Sequence, residues 1–502
     1  MRWICQTNKL DGGLHDAMKP VQLPELHMLR PIPIRLTLFT VIALTGCSVG
    51  PAYHPPAPIS ATRWYAPLPH AGSRAELGLW WQQFDDPALS TLITDAERDS
   101  PTLAQALARI AQARASLTTR EAASYPSAGA SAQTTRSKSV SSFFSGMQTA
   151  SSLAVDAVWE LDLFGANRRG REAAVARVQA RAADWHDARV SLAAEVANNY
   201  MSLRACEALV AEYRQDLTSR QDSARLTQLK ADNGFSSRAD AALGNASAAE
   251  AATRLTAQQA ECDLSIKALV ALTGQAEPAL RSQLASRTGQ LPRLPASSVT
   301  SVPAQLLNQR PDLAAAERDL AAASADIGAA EAKRYPSISL SGSVGLTAVS
   351  FGGLSSSGNT WSFGPTLKLP LFDGGKSRAN VADAQARYDE ALPNYQQRAR
   401  SAVKEVEQAL VKLDSASTRE GSARAAAQGY RVFFNASETR LKTGSGSLLD
   451  AEEARRNLLN SQANLVNIQR ERLAAWISLY KAMGGGWTRT TGDPESIAHR
   501  HP

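Results

Sequence analysis

Two of the four cysteines are spaced for redox chemistry with each other. Cys206 and Cys262 lie at equal distances on either side of residue 234, where Asp232-Asn233-Gly234 is typical of a helix break. If the flanking segments form antiparallel helices, the two thiols face each other. In an oxidising compartment this arrangement predicts a disulfide. The alternative is two buried free thiols that behave as small apolar side chains.

Catalytic chemistry is almost absent from the sequence. Of the seven histidines, only His186 lies in the body of the chain. No CxxC pair, nucleophile elbow or phosphate-binding glycine loop is found between a strand and a helix. We therefore predict a protein that is not an enzyme and that has neither a metal nor another cofactor. The net charge of +7 comes from basic residues interleaved with acidic ones, which indicates a solvated helical surface rather than nucleic-acid binding.

Another cysteine follows an N-terminal targeting signal. A basic segment at 28–30 precedes an apolar run over 36–44, which fits the h-region of a signal peptide. The next residues, Leu44-Thr45-Gly46-Cys47, resemble the lipobox of bacterial lipoproteins, in which the cysteine is acylated. We predict a signal region over 1–46, a true start at Met28 and a palmitoylated Cys47. The alternative is a cysteine that follows a signal sequence by accident. Ser48 is not the aspartate that retains such lipoproteins in the inner membrane, so the resemblance implies the outer membrane.

A short motif with an acidic residue occurs twice. Gly234-x-x-Ser237-x-x-Asp240 recurs as Gly444-x-x-Ser447-x-x-Asp450. In one interpretation the glycine ends a helix, the serine caps the next helix, and the acid favours its positive end. In the other, Asp240, Asp450 and Glu453 face an opening between neighbouring chains and form carboxylate rings that would select cations. Asp450 and Glu453 are three residues apart and therefore share a helix face.

Long helices must carry these residues. The sequence from about 167 to 230 contains no proline, and Leu192, Val196, Leu203, Val210, Tyr213 and Leu217 follow a coiled-coil spacing. A helix of this length spans ~100 Å, which suits a protein that bridges a gap. We predict one helical hairpin over about 167–273 and a second over about 376–483.

A pair of alternating segments precedes each hairpin. The predicted strands cover about 125–137 and 149–164, and then about 335–349 and 359–372. In the first pair, Leu153, Val155 and Trp159 alternate with more polar residues, as a membrane β-strand requires. An ordinary half-buried hairpin has the same periodicity.

These elements form an internal tandem repeat, because matching residues such as Glu195 and Glu405 differ by 210 positions. We predict a lipidated tether over 47–79, a first repeat over 80–274, a linker over 275–302, a second repeat over 303–486 and a disordered tail over 487–502. Four strands cannot close a barrel, and open edges in lipid leave backbone groups unpaired. Two copies would give eight strands with a filled interior, and three would give twelve with room for a lumen.

The sequence resembles the TolC-like outer-membrane efflux proteins, in particular the lipoprotein subgroup that serves resistance-nodulation-division (RND) pumps. The resemblance covers about 44–486. Its most specific stretches are Leu44-Thr45-Gly46-Cys47, Trp80-Trp81-x-x-Phe84-x-Asp86, the run from Val302 to Leu313 that contains Arg310-Pro311-Asp312, and the run from Tyr335 to Leu340. It implies a membrane α+β fold: a homotrimer with a twelve-stranded outer-membrane β-barrel, continuous with a long periplasmic α-helical barrel.

The resemblance also implies a function, partners and sites. The protein would be the exit duct of a tripartite efflux pump, a passive conduit for drugs or other small molecules, with a periplasmic adaptor (membrane fusion) protein and an inner-membrane RND transporter as partners. Asp240, Asp450 and Glu453 match the family's aperture acids, although Glu453 stands where some members have aspartate. The adaptor would contact the hairpin tips, which are Asn233, Gly234, Phe235, Ser236, Gly444, Ser445 and Gly446.

Two other functions are compatible with parts of the sequence, a periplasmic scaffold and an adaptor protein. A lipid-anchored periplasmic coiled-coil scaffold would explain the helices but not the four alternating strands. An adaptor protein would lack such strands and would carry a lipoyl-like segment that is absent here. The basic runs at 167–171 and 375–378 follow the strands and predict contacts with outer-membrane lipid head groups. A solvated helix start is the alternative.

Overall fold

The computed structural model describes residues 49–56, 77–140, 145–294, 309–351 and 353–487. The predicted signal region, Cys47, residues 295–308 and the tail after Trp487 lie outside the described residues. Within the described ranges the chain is mostly helical, with one four-stranded sheet. No helix in these ranges combines the length and the apolar character needed to cross a bilayer.

Each repeat contains two strands followed by a long helical hairpin. The first repeat consists of a 3-10 helix at Leu77–Phe84, α1 (Pro87–Asp99), α2 (Pro101–Ala122), β1 (Ser127–Val140), β2 (Ser145–Leu161), α3 (Ala166–Asp232) and α4 (Arg238–Thr273). The segment between the repeats contains α5 (Glu277–Leu284) and a 3-10 turn at Ala285–Arg287. The second repeat consists of α6 (Pro311–Ala332), β3 (Ser337–Phe351), β4 (Leu354–Lys368), α7 (Lys376–Lys442) and α8 (Leu448–Ala482).

Glycines turn the chain from the sheet into the two long helices. Gly165 and Gly375 precede α3 and α7 with φ of 80° and 93°, a left-handed conformation that favours glycine. Both helices have 67 residues and are therefore ~100 Å long. Pro393 lies inside α7 without ending it.

The sheet is antiparallel throughout, with the order β1-β2-β3-β4, so β1 and β4 are its edges. Residues opposite each other in register share a face. Leu153 lies opposite Leu346 and Val155 opposite Val344, which collects the apolar residues on one face, and all four side chains are exposed in the single chain. Asp156 lies on the other face, one residue out of phase.

The strands are displaced from the predicted bounds. β2 and β4 begin and end several residues before the predicted 149–164 and 359–372. The turn-side ends, Ser-Gly-Met-Gln-Thr in β2 and Leu-Ser-Ser-Ser-Gly in β4, pair through their backbone and do not alternate apolar with polar residues. At the other end, Asp162 leaves the strand and accepts hydrogen bonds from the backbone N–H groups of Asn167 and Arg168, at 3.1 and 2.7 Å. This carboxylate therefore starts α3.

Four helices, α2, α3, α6 and α7, lie side by side in that order. α4 packs on α3 and α8 packs on α7, and α3 also contacts α8. The main core lies where these helices meet α1, and Trp80 is fully buried there, stacked on Trp476 with ring centroids 4.7 Å apart. Asp86 caps α1 and accepts a hydrogen bond from the hydroxyl of Tyr200 at 2.6 Å. The Trp-Trp motif of the sequence is thus a packing motif of this core.

The described parts of two segments predicted to be loose, residues 49–56 and Trp487, are packed. Residues 49–56, inside the predicted tether, lie against α3 and α6, and Tyr53 packs on a cluster of five alanines. The predicted tail begins at Trp487, which packs against Ala183, Ala314 and Ala315. Small side chains on the helices make room for these aromatic rings, a feature that loop composition does not reveal.

Candidate functional site

The two hairpin tips have the same backbone conformation. Gly234 and Gly444 adopt φ of 77° and 78°, and the N–H group of the following residue donates to a carbonyl in the last helical turn, Phe235 to Lys230 and Ser445 to Arg440. This is a glycine-dependent helix end. The side chain of Phe235 is 84% exposed, so the first tip presents an aromatic ring where the second presents a serine.

The predicted gate acids adjoin these tips, where Asp240 is half-buried and Asp450 and Glu453 are exposed. Ser237 and Asp240 form a reciprocal capping box at the start of α4. Hydrogen bonds from the side chains of Ser237 and Ser236, and from the Ser237 backbone, lower the pKa of Asp240. At the start of α8, Ser447 accepts a hydrogen bond from the Asp450 N–H group at 3.1 Å, and the Asp450 and Glu453 side chains are exposed. The capping interpretation therefore describes the contacts of Asp240, and the gate role remains a prediction.

A buried ionic network joins the two hairpins a few turns above the tips. Arg220 of α3 donates to Asp216 at 2.9 and 3.0 Å and to Glu452 of α8 at 2.6 Å. Glu452 also accepts from the hydroxyl of Ser247 on α4, at 2.7 Å. The side chains of Arg220 and Asp216 are only 8% and 5% exposed. Charges this deeply buried depend on one another, because removal of one leaves its partner unpaired.

Arg455 extends this network. Its side chain is 3% exposed, and its guanidinium donates to Glu452 and to the hydroxyls of Ser219 and Ser223 on α3, the latter two at 3.0 and 2.9 Å. It also lies over the ring of Phe434, 5.3 Å from the centroid. Three helices are thus tied together by the network, which we call the inter-hairpin network and define as Asp216, Ser219, Arg220, Ser223, Ser247, Glu452 and Arg455.

This network was not predicted from the sequence. The predicted apolar seam of α3 continues through Val210, Tyr213 and Leu217, whereas the buried residues in this part of the helix are Leu209, Asp216, Arg220, Ser223 and Thr227. Charged side chains at seam spacing look like surface residues unless their partners are known. The detectable signal was the Asp216–Arg220 pair, spaced i to i+4, where the seam should have remained apolar.

The two cysteines meet as the spacing predicts. The Sγ atoms of Cys206 on α3 and Cys262 on α4 are 2.11 Å apart, and their Cα atoms are 5.5 Å apart, within the usual range for a disulfide. Cys206 is buried and Cys262 is half-buried. This pair lies near the level where α5 and the turn after it join α3, since Arg204 donates to the Leu284 carbonyl at 2.8 Å.

The N-terminal arm, residues 49–56, begins beside the sheet. The N–H group of Val49 donates to the carbonyl of Phe164, just after β2, at 3.3 Å. Gly50 crosses Gly328 of α6 so closely that a Cβ on Gly50 would lie 2.3 Å from the Gly328 Cα. Further along, the Tyr53 hydroxyl donates to Glu317 at 2.7 Å. Burial and this carboxylate raise the pKa of Tyr53, so its hydroxyl remains a donor.

The basic run after β2 is mostly occupied by ion pairs. Arg169 binds Glu172 at 2.8 Å, and Arg171 binds Glu121 at 3.0 Å. These contacts favour the interpretation of this run as a helix start, and they leave lipid contact there as an untested prediction.

Comparison with known proteins identifies the family. The family model described as outer membrane efflux protein matches residues 92–275 and 302–485, one match in each repeat. The chain belongs to the outer membrane efflux protein family. It is 32% identical to outer membrane protein OprJ of Pseudomonas aeruginosa over 459 residues, which cover 90% of this chain and 95% of OprJ. It is 30% identical to the probable efflux pump outer membrane protein TtgC of Pseudomonas putida, over 91% of this chain and 96% of TtgC.

A solved structure gives the same result for the fold. The outer-membrane channel OprN matches with a TM-score of 0.81 and 31% sequence identity, over 88% of this chain and 100% of OprN. The family predicted from the sequence motifs is therefore confirmed. As an outer membrane efflux protein, the chain lies in the outer membrane and has a large periplasmic part.

Proposed function

We propose that this protein is the exit duct of a tripartite efflux pump, a passive channel through the outer membrane with no catalytic step. The observation that carries the proposal is the continuity between the four-stranded sheet and the two ~100 Å helices. The apolar face of the sheet suits lipid, and the opposite face, with Asp156, suits water. The helices then extend the wall of the duct into the periplasm.

The proposed assembly is a homotrimer. β1 and β4 each have one unpaired edge within the chain, and an open edge in lipid leaves several backbone hydrogen bonds unmade. Pairing β1 of one copy with β4 of the next closes a barrel. Three copies give twelve strands and a lumen, whereas two copies give eight strands and an interior filled by side chains.

The gate is proposed at the hairpin tips. Asp240, Asp450 and Glu453 would line the narrow end of the duct, and the inter-hairpin network supports this place because it ties α8 to α3 a few turns above. To widen the aperture, α8 would have to move away from α3. This movement would break the contact of Arg220 with Glu452 and the contact of Arg455 with Ser223. The network would thus hold the resting aperture.

The partners follow from the same architecture. The tips, Asn233–Ser236 and Gly444–Gly446, are the end of the periplasmic part, and we propose them as the contact for a periplasmic adaptor that leads to an inner-membrane RND transporter. Their matching glycine turns and the exposed ring of Phe235 support this assignment. A tip variant that loses adaptor pull-down but keeps channel conductance would support it, and unchanged pull-down would contradict it.

A lipid anchor on Cys47 is the last part of the proposal. The N-terminal arm supports it, because Val49 lies at the end of β2, at the level where the strands meet the periplasmic helices. An acylated residue two positions earlier would be within reach of the inner leaflet. Mass spectrometry of the mature N-terminus tests this directly, and an unmodified thiol there would refute it.

Native mass spectrometry and liposome swelling together test the exit duct. We expect a mass of three chains, and we expect liposomes that contain the protein to swell in small sugars. A water-soluble monomer without swelling activity would instead support a periplasmic scaffold.

A further inference from the structure

The charged residues of the sheet are divided between its two faces. In the described strands these residues are Arg136, Lys138, Asp156, Glu160 and Lys368. Arg136 lies opposite Thr149 and Lys138 opposite Met147, and Thr149 and Met147 are in phase with Leu153 and Val155. The two cations therefore lie on the apolar, lipid-facing side, while Asp156 and Glu160 lie on the other.

The two cations lie beyond the apolar rows of the sheet, on the side of the strand turns. The apolar rows run from Leu161 to Leu153, about 26 Å along the strand at ~3.3 Å per residue. With a strand tilt of about 40°, this is about 20 Å of bilayer depth, close to the roughly 25 Å apolar band of outer-membrane barrels. Arg136 lies four positions beyond Leu153 in register, so it is roughly 10 Å above the last apolar row by the same arithmetic. A cation at this depth is no longer in hydrocarbon.

Apart from Met147, which lies opposite Lys138, the strand residues around the two cations are polar, and none of them is acidic. On the same face, the next row towards the apolar band holds Thr134 and Ser151, whose hydroxyl oxygens are 3.1 Å apart. The row of Arg136 continues through Thr149 to Ser350 and Ser355. Among the described strand residues, this face has no carboxylate, and both Arg136 and Lys138 are exposed.

We propose that Arg136 and Lys138 form a binding site for the phosphate groups of outer-leaflet lipid head groups. The inference rests on the outer-membrane barrel proposed above. The two side chains are on one face, roughly 7 Å apart along the strand, and can bind two phosphates of one head group or two neighbouring head groups. A guanidinium binds phosphate through two parallel hydrogen bonds, and the row of hydroxyls supplies further donors. This site would fix the depth of the barrel in the outer leaflet, opposite the helical end.

The test is binding of diphosphorylated lipid A to the purified full-length assembly in neutral detergent, measured by native mass spectrometry. We compare wild type with a doubly neutral variant, R136Q/K138Q, and with a charge-preserving variant, R136K/K138R. Lys368→Gln is the matched control, because Lys368 is an exposed cation on the opposite face and at the other end of the sheet. A basic residue near an anionic surface contributes a factor of about five, so the neutral variant should bind about 30-fold more weakly. The other two variants should bind like wild type.

Several results would overturn the proposal. One is equal affinity of wild type for lipid A and for its fully dephosphorylated form. Another is equal affinity of the neutral variant and wild type. Displacement of lipid A by millimolar inorganic phosphate would indicate a free-phosphate site instead. If only the neutral variant fails to assemble, the two cations serve the contact between copies, and the proposal is wrong. Channel conductance is measured on the same samples. If the barrel itself is wrong, wild type will neither bind lipid nor conduct, whereas wild type still conducts if only the lipid site is wrong.

Discussion

Replacing Glu452 with alanine should release α8 from α3 near the hairpin tips. Glu452 accepts hydrogen bonds from Arg220 at 2.6 Å, from Ser247 at 2.7 Å and from Arg455. Its removal leaves the side chains of Arg220 and Arg455, 8% and 3% exposed, without their shared carboxylate, and only Arg220 retains a second one, Asp216. Breaking a buried pair in this way costs about 3–5 kcal/mol. The part of this free energy that matters for gating is the part that stabilises only the closed aperture. The loss of that part in the variant shifts the equilibrium between closed and open channels towards the open one.

The expected effect is large enough to measure. If only about 1.4 kcal/mol is specific to the closed state, the ratio of open to closed channels rises tenfold, and 3 kcal/mol raises it more than 100-fold. The assay is single-channel recording of purified protein in planar bilayers, with the open fraction as the readout. Glu452→Gln, which keeps the shape and removes the charge, should give an intermediate increase.

Glu471→Ala is the matched control on the same helix. Glu471 binds Arg419 at 2.6 Å, but both side chains are about half exposed, and the pair joins α7 to α8 within one hairpin. An exposed pair contributes about 0.2–1 kcal/mol, so this variant should gate like wild type. The reasoning is refuted if an assembled E452A channel gates like wild type, or if E471A opens as much as E452A does.

Three further predictions concern the disulfide, the N-terminal arm and the core. Mass mapping under non-reducing conditions should find Cys206 joined to Cys262, and two free thiols would contradict this. A double serine variant should lose about 4 kcal/mol of stability, because the disulfide closes a loop of 56 residues. Gly50→Ala should speed hydrogen exchange at Val49 roughly five- to 150-fold, because strain at φ +98° costs about 1–3 kcal/mol and the new Cβ also meets α6. Gly170→Ala, whose Cβ meets only Arg120 at 3.9 Å, should have no effect, and equal exchange in both variants would refute the crossing. Burial and the nearby Arg189 lower the pKa of His186 to about 4. The neutral ring therefore stabilises the fold fully above the usual pKa of about 6.5, and this stability is lost as the pH falls towards 4. His186→Gln should therefore flatten the fall of Tm over this range, and identical pH profiles would contradict the assignment.

The ends of the long elements were predictable because local chemistry sets them. Glycine is the residue that best tolerates the left-handed turns at Gly234 and Gly444, and Pro311 suits the first turn of a helix, so these residues mark helix ends without any tertiary information. The spacing of Cys206 and Cys262 about a helix break likewise needed only the geometry of an antiparallel pair. The strand bounds were less accurate, since backbone pairing extends β2 and β4 through residues with no apolar alternation.

Long-range polar contacts were not predictable. Glu452 and Glu453 are neighbours with the same charge, yet Glu452 is half-buried among arginines and Glu453 is exposed. The difference arises from the rotation of α8 against α3, which the sequence of either helix alone does not specify. Docking of the N-terminal arm was missed for a similar reason. The close crossing of Gly50 and Gly328 joins residues far apart in the sequence, in a segment whose composition is that of a linker.

Single-channel conductance of the purified wild-type assembly in a planar bilayer tests the central claim most directly. A twelve-stranded barrel made from three copies of this chain should give discrete, uniform conductance steps. Those steps should disappear when the sample is heated and dissociated into single chains. A sample that inserts into the bilayer as an intact assembly but passes no ions, with Glu452 either intact or replaced by alanine, would contradict the exit-duct account.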